Sequence, residues 1–267
     1  MPLTDKVTTQ LRKLLSGKDN EPSALNNMLR LLSKWRSVLI QNTLLQKEGT
    51  KVLGGPLKGM DFLTHSAEGC HIAKLLGSYE QPLHRAISEA IKKQYSVIAN
   101  IGCAEGYYAV GMARLMPDTQ VLAYDLDPVA QKVCAELAEK NGVADRVSIG
   151  SLFEPSRFAS FSGKNALVLC DIEGAEKELL DPVQAPALRR LDVIVESHEC
   201  LVPGITETLV SWFKDSHDIE LIEDDGQRQL EDAPDWFRGL AHLDQLLATW
   251  EWRSGPTPWL VMKTRET

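Results

Sequence analysis

Residues 97–108, VIANIGCAEGYY, constrain the fold of this chain more than any other stretch. The apolar residues at 97–101 predict a buried parallel strand, and the apolar positions at 109–113 predict the helix that follows it. Between them lies a turn that contains Gly102 and Gly106. Glycine lets a ligand approach the backbone closely, and the start of a helix offers free N–H groups. This strand, turn and helix therefore predict a platform for a ligand.

An acidic residue follows at the end of the next predicted strand, in VLAYDLDP (121–128). An acid about 20 residues beyond a glycine turn is placed to accept hydrogen bonds from the ribose hydroxyls of a nucleoside. Pro128 opens the next helix, so Asp125 or Asp127 could instead cap that helix. We assign the ribose contact to Asp125 and the cap to Asp127.

The chain beyond residue 79 alternates between strand and helix patterns, which predicts a doubly wound, mostly parallel seven-stranded α/β sheet. Predicted helices cover 80–93, 105–116, 128–141, 175–190 and 204–215. Predicted strands cover 96–101, 120–125, 146–150, 165–170, 191–197, 218–223 and 258–264.

The amino-terminal part has a different pattern from the rest of the chain. Residues 1–50 predict an appended segment of two helices, broken at 17–22, that serves as a lid or as a homodimer interface. The main domain is predicted at 51–267, with a short hairpin at 50–65 and an insertion at 226–252 that contains one helix. Late tryptophans predict an aromatic core under this insertion rather than a substrate lid: Trp236, Trp250, Trp252 and Trp259.

Composition narrows the class of protein. The 267 residues are 43% hydrophobic and 25% charged, with a formal net charge of −8. A negative chain lacks the basic field that binds nucleic acid, so a nucleic-acid partner is not expected. The five cysteines form no CxxC pair, which indicates reduced thiols and a cytoplasmic protein. Neither a membrane-length apolar run nor a signal-peptide pattern is found, so we expect no membrane association.

Three motifs in this order resemble those of class I S-adenosylmethionine-dependent methyltransferases: NIGCAEG (100–106), YDLDP (124–128) and CDIEGAE (170–176). The third is similar to the "DVEGAE" segment of FkbM-type methyltransferases. The segments GPLKGM (55–60) and KLLGSYE (74–80) resemble the lead-in of that group. The resemblance covers about residues 55–200 and implies a Rossmann-like methyltransferase fold.

The resemblance implies that S-adenosylmethionine is the cofactor. It places Asp125 against the ribose and Ser151 and Leu152 beside the adenine. Asn100 stands where the family has aspartate, so Asp171 or Glu105 would have to supply the negative charge. Glu105 could equally be a first-turn helix residue favoured by the helix dipole. The full predicted cofactor set is Asn100, Gly102, Glu105, Gly106, Tyr107, Asp125, Ser151, Leu152 and Asp171.

The carboxyl ends of two later strands carry the candidate catalytic residues. Asp171 follows one strand, and alternation puts Glu196 and His198 on one face at the end of the next. We predict His198 as the base that takes a proton from the acceptor, with Glu196 and Asp171 beside it. These three could also form a metal site, but Mg²⁺ is not favoured because the acidic pattern does not match that of related sugar methyltransferases. We expect Glu176 to be exposed to solvent. The predicted substrate residues are His65, Tyr79, Glu80 and Glu173.

The function predicted from these features is methyl transfer from S-adenosylmethionine to an O, N or S atom of a small molecule. An NAD(P)-dependent oxidoreductase is one alternative, although residues 103–105 lack the middle glycine of a GxGxxG turn. A non-catalytic methyltransferase-like binding module is another, for which Asn100 is the hint. The sequence leaves the acceptor and the oligomeric state open.

Overall fold

A computed structural model describes residues 1–16, 21–66, 70–253 and 255–265. The predicted break between the first two helices therefore lies mostly outside the described residues. Seven strands form one sheet. They are β1 Val97–Ile101, β2 Gln120–Tyr124, β3 Val147–Gly150, β4 Ala166–Cys170, β5 Asp192–Glu196, β6 His217–Ile222 and β7 Trp259–Thr264.

The strand order is β3-β2-β1-β4-β5-β7-β6. Only β7 runs antiparallel, and it pairs with β5 on one side and β6 on the other. Dinucleotide-binding sheets have the simpler order 3-2-1-4-5-6, without an inserted antiparallel strand. The predicted fold class, a doubly wound and mostly parallel seven-stranded sheet, is confirmed.

Ten α-helices flank the sheet in the described part of the chain. They are α1 Leu3–Leu15, α2 Pro22–Glu48, α3 His71–Leu76, α4 His84–Lys93, α5 Tyr107–Leu115, α6 Pro128–Lys140, α7 Glu176–Leu179, α8 Ile205–Phe213, α9 Asp235–Arg238 and α10 His242–Thr249.

Each face of the sheet is buried in its own apolar cluster, as strand alternation requires. Ile98 of β1 packs into the cluster that contains α3, α5 and α6. Its neighbours Val97 and Ala99 pack into the cluster that contains α8. The central strands are therefore covered on both sides, and their carboxyl ends are the part left for a ligand.

Three predicted elements differ from the structure. The helix predicted at 175–190 is a single turn, α7, followed by a 3₁₀ turn at Pro186–Arg190, because Pro182 and Pro186 cannot continue a helix. The helix predicted at 80–93 begins as a 3₁₀ turn at Gln81–Leu83 before α4. The hairpin predicted at 50–65 contains one isolated antiparallel bridge, between Lys51 and Asp61.

The amino-terminal helix α2 is packed into the main core. Its Ile40 and Leu44 are buried in the same cluster as the sheet. Arg36 of α2 forms an ion pair with Asp244 of α10, with 2.6 Å between Nη2 and Oδ2. In the described part of the chain, no helix is both long enough and apolar enough to cross a lipid bilayer.

Candidate active site

Neighbouring protein atoms leave no room for a side chain at two glycines of the turn after β1. Gly102 has φ +76°, and a Cβ there would lie 1.5 Å from the carbonyl oxygen of Asp171. Gly106 has φ +89°, and a Cβ there would lie 2.6 Å from Sγ of Cys134 in α6. Both positions therefore need glycine for backbone conformation and for close packing. The turn after β1 is held directly against the loop after β4.

Asp125 holds this turn in place from the end of β2. One carboxylate oxygen accepts a hydrogen bond from Ala104 N at 2.8 Å, and the other accepts from Asp127 N at 2.9 Å. Asp127 caps α6 by accepting from Val129 N at 2.8 Å, as predicted. A carboxylate has about four lone-pair positions, so Asp125 keeps acceptor capacity for a ligand.

A cavity of about 390 Å³ opens beside this carboxylate; we call it the Asp125 cavity. Its volume is in the range of small-molecule sites. Phe153, which sequence analysis did not identify, packs edge-on against Tyr124 in its wall, with 5.0 Å between ring centroids. The structure brings together here the predicted cofactor residues Gly102, Asp125, Ser151, Leu152 and Asp171.

The other predicted cofactor residues do not line the Asp125 cavity. Glu105 precedes α5 and is fully buried in an ion pair with Lys74, and it also accepts a hydrogen bond from Ser66 at 2.6 Å. It is therefore neither a first-turn helix residue nor a wall of this cavity. Asn100 is buried within β1, and Tyr107 packs edge-on against Phe62.

A cluster of ionisable side chains lies at the carboxyl ends of β4 and β5, which are neighbouring parallel strands. Nε2 of His198 lies 3.5 Å from Oδ1 of Asp171 and 3.7 Å from Oε2 of Glu196. Oε2 of Glu173 is 3.4 Å from the same nitrogen. The structure thus brings the three predicted catalytic residues to one point, with Glu173 at its rim.

Glu176 is the residue of this cluster that sequence analysis placed wrongly in solvent. Its side chain is fully buried, and its Oε1 lies 2.7 Å from Nδ1 of His198. The same oxygen accepts hydrogen bonds from Ile172 N and Gly174 N. Gly174 has φ +104°, which turns the loop so that Glu176 faces inward. The carboxylate therefore fixes both the loop and the imidazole.

The cluster shifts the acid–base properties of its members. Burial alone lowers the pKa of His198, but the hydrogen bond to Glu176 and the charges of Glu196 and Glu176 outweigh it and raise the pKa. Burial raises the pKa of Asp171 well above its usual value, and Glu196 and Glu80 add to this effect. Like charges are therefore crowded at this point, and the arrangement favours a bound cation or proton.

A second cavity, of about 400 Å³, contains this cluster; we call it the His198 cavity. Tyr79 and Glu80 line it, whereas His65, also predicted as a substrate residue, is exposed and lies outside it. Arg253 donates hydrogen bonds to Glu196 and, at 3.2 Å, to Glu80. Burial, together with the charge of Glu196, raises the pKa of Glu80 to about 7.

The outer wall of the His198 cavity comes from segments distant in sequence. Lys34 of α2 and Trp252 both line it, with the Lys34 ammonium 4.6 Å from the Trp252 ring centroid. Arg30 of α2 donates a hydrogen bond to the Trp252 carbonyl at 3.3 Å. Trp252 packs against the main core cluster, in line with the predicted aromatic core, and it also lines the His198 cavity.

Comparison with known proteins finds similarity to methyltransferases. The family model for "Ribosomal protein L11 methyltransferase (PrmA)" matches residues 83–174. The ribosomal protein L11 methyltransferase of Pelotomaculum thermopropionicum is 32% identical over 136 residues, which is 50% of this chain and 38% of that protein. The Brucella suis protein of the same name is 30% identical over 138 residues, or 51% and 43%. The chain thus spans less than half the length of these relatives.

Among solved structures, the cofactor-bound protein Rv0187 from MTB has the same fold. The two superpose with a TM-score of 0.50 at 14% identity, covering 94% of this chain and 100% of that one. In strand order, glycine turn and strand-end acid, the chain is similar to the class I S-adenosylmethionine-dependent methyltransferases, and these matches agree with that similarity. Within that class, the matched family model is that of the ribosomal protein L11 methyltransferases. The inserted antiparallel strand β7 differs from the order of dinucleotide-binding sheets, which argues against the oxidoreductase alternative.

Proposed function

We propose that the chain binds S-adenosylmethionine in the Asp125 cavity and methylates an acceptor held in the His198 cavity. One observation carries this proposal: the two cavities share Asp171 and Glu173 in their walls. A donor in one cavity and an acceptor in the other would therefore meet at the loop after β4. Holding the two reactants in contact supplies much of the rate enhancement of such a reaction.

The residues of the Asp125 cavity fit an adenosine group. The Asp125 carboxylate is placed for ribose hydroxyls, and Leu152 and Phe153 offer apolar surface beside it for a base. The turn at Gly102 lines the same cavity and brings backbone close to the ligand. When bound, S-adenosylmethionine supplies a methyl group on a sulfonium that a nucleophile can attack.

On the acceptor side, we propose Asp171, Glu196 and His198 as the catalytic group. Their polar atoms converge where the wall of one cavity becomes the wall of the other. A hydroxyl or ammonium acceptor loses a proton during methyl transfer, and this cluster is the place where that proton is released. Tyr79, Glu80 and Glu173 line the same space and are proposed to contact the acceptor.

A small polar molecule is the acceptor class that the His198 cavity supports best. Its outer wall consists of Lys34, Trp252 and Arg253, which all lie outside the segment matched by the family model. These side chains leave a space of about 400 Å³, a size typical of small-molecule sites. CDIEGAE resembles a segment of FkbM-type enzymes. Membership of that group remains a prediction, and it agrees with a small-molecule acceptor.

A protein acceptor is the second candidate, and one observation favours it. Both curated relatives described above are named ribosomal protein L11 methyltransferases. Incubation with labelled S-adenosylmethionine and either a metabolite extract or purified ribosomal proteins separates the two candidates. We expect label in a small metabolite. Label confined to a ribosomal protein would contradict the small-molecule proposal.

The cofactor assignment is tested by calorimetric titration with S-adenosylhomocysteine. Asp125→Ala removes hydrogen bonds to a charged acceptor, each of which contributes about 1.5–3 kcal/mol, so affinity should fall roughly 10- to 150-fold. Asp127→Ala is the matched control, because Asp127 caps α6 two residues away and should leave the affinity within about twofold. Equal affinity of wild type and Asp125→Ala would refute the ribose contact.

A further inference from the structure

The polar atoms of Asp171, Glu196 and His198 are spaced as metal ligands are. One ligand atom from each residue lies within 4.8 Å of the others. Ligand atoms that sit about 2.1 Å from a shared cation lie roughly 3.0–3.4 Å apart. The distances from His198 Nε2 to Asp171 Oδ1 and Glu196 Oε2 are 3.5 Å and 3.7 Å, so small side-chain movements would complete a site.

His198 is oriented as a metal ligand rather than as a simple ion-pair partner. A metal-binding histidine usually donates its other ring N–H to a carboxylate, which fixes the tautomer and aims the free nitrogen at the metal. Glu176 provides that carboxylate, 2.7 Å from Nδ1, and burial of both side chains excludes water. Because Nδ1 donates its hydrogen to Glu176, Nε2 presents a lone pair to Asp171 and Glu196.

A buried oxygen that faces this point lacks a hydrogen-bond partner among the described residues. Oδ1 of Asp171 is buried and accepts no hydrogen bond from any residue that the structure describes. His198 is 3% exposed, its hydrogen bond to Glu176 uses Nδ1, and its Nε2 faces Asp171, Glu173 and Glu196 at 3.4–3.7 Å. Buried polar atoms without partners are costly, and each such atom calls for an explanation. A cation between them satisfies these atoms together.

The charge of the His198 cavity also favours a cation. Its wall holds five carboxylates, those of Glu80, Asp171, Glu173, Glu196 and Glu251, against the two fixed cations Lys34 and Arg253. Arg253 is bound to one oxygen of Glu196, which leaves the other oxygen directed at His198. The excess negative charge is therefore concentrated beside the three candidate ligands.

We propose that Asp171, Glu196 and His198 bind a divalent first-row transition-metal ion, such as Mn²⁺ or Zn²⁺. Imidazole is a good ligand for these ions, whereas Mg²⁺ prefers oxygen ligands and retains its water. This inference rests on the proposed function and changes the role predicted for His198, from base to ligand. The ion offsets the carboxylate charge and binds the acceptor's polar atom next to the Asp125 cavity.

The test is a Mn²⁺ titration of the chelator-treated protein, in which bound Mn²⁺ is measured by the loss of the free-ion EPR signal. Neither cofactor nor acceptor is needed. We expect one bound Mn²⁺ per chain and an affinity at least tenfold weaker in His198→Ala. His242→Ala is the matched control, because His242 is exposed on α10, outside the His198 cavity, and should leave the affinity unchanged.

A second variant tests the contact between the Glu176 carboxylate and Nδ1 of His198. Glu176→Gln keeps the size of the side chain, and loss of an outer-shell partner typically weakens metal binding 10- to 100-fold. S-adenosylhomocysteine titration of both variants shows whether they fold. It also shows whether cofactor affinity is independent of metal binding. Absence of Mn²⁺ binding, or binding that His198→Ala does not weaken, would overturn the metal site and leave a protonated His198 as the cation.

Discussion

The Asp125 cavity and the His198 cavity differ in how the chain builds them. Every residue that lines the Asp125 cavity lies between Ile101 and Leu179, at the ends of the four strands β1 to β4 and in the loops that follow them. The His198 cavity draws its walls from Lys34 of α2 through to Thr257, just before β7. Cofactor recognition is therefore a local property of this sequence, whereas acceptor recognition depends on the packing of distant segments.

Gly102 of the Asp125 cavity lies directly against the backbone of Asp171, which lines both cavities, and this contact provides the strongest test of the division. Gly102→Ala would place a Cβ 1.5 Å from the Asp171 carbonyl oxygen while keeping an unfavourable φ of +76°. We expect a stability loss of more than about 3 kcal/mol, because backbone on both sides has to move. Chemical denaturation measures the loss directly.

Gly142→Ala is the control for this prediction. Gly142 has φ +67°, similar to Gly102, but no atom lies within 4 Å of a Cβ built there. Its substitution should cost only the conformational strain, about 1 kcal/mol. If both variants lose the same stability, the contact between Gly102 and Asp171 is not what joins the cavities.

A change in the His198 cavity should impair methyl transfer without weakening cofactor binding. Arg253→Met removes the cation that binds Glu196 and Glu80 but does not touch the Asp125 cavity. We expect kcat/KM for methyl transfer to fall roughly 100-fold, since breaking a partly buried ion pair leaves carboxylates uncompensated. Affinity for S-adenosylhomocysteine should stay within about twofold, as measured by calorimetry.

Arg85→Met is the control for Arg253→Met. It removes an arginine from exposed ion pairs with Glu89 and Glu220, and such pairs contribute little to stability. Both kinetic and binding constants should therefore remain those of the wild type. A parallel loss of cofactor affinity in Arg253→Met would show that the two cavities are energetically one site.

The division between local and distant contacts also explains what sequence could predict. The mostly parallel sheet, the Asp127 cap and the convergence of Asp171 with His198 follow from strand periodicity, from helix-cap chemistry and from where parallel strands end. The burial of Glu176 was missed because the loop turns at Gly174, with φ +104°, and directs the carboxylate to backbone N–H groups and to Nδ1 of His198. Its position within CDIEGAE, three residues after Glu173, was the available signal.

The side chains that close the His198 cavity had no comparable signal. Lys34, Trp252 and Arg253 are separated from the sheet motifs by many residues, and each has an ordinary helix or loop context. Only the packing of α2 against α10 and the last loop brings them to the cavity. Propensity and periodicity describe local structure, so they do not specify such long-range neighbours.

The smallest expected effect concerns the role of α2 as part of the acceptor site. Lys34→Met removes a charge that lines the His198 cavity and lies over Trp252, an interaction of about 0.5–1 kcal/mol. We expect KM for the acceptor to change about two- to fivefold, with kcat and cofactor affinity preserved. Lys47→Met is the control on the same helix, because Lys47 lies over Trp236 at 5.2 Å but does not line this cavity. An equal shift in KM from both variants would mean that α2 supports the fold generally, whereas a shift from Lys34→Met alone would make α2 a wall of the acceptor site.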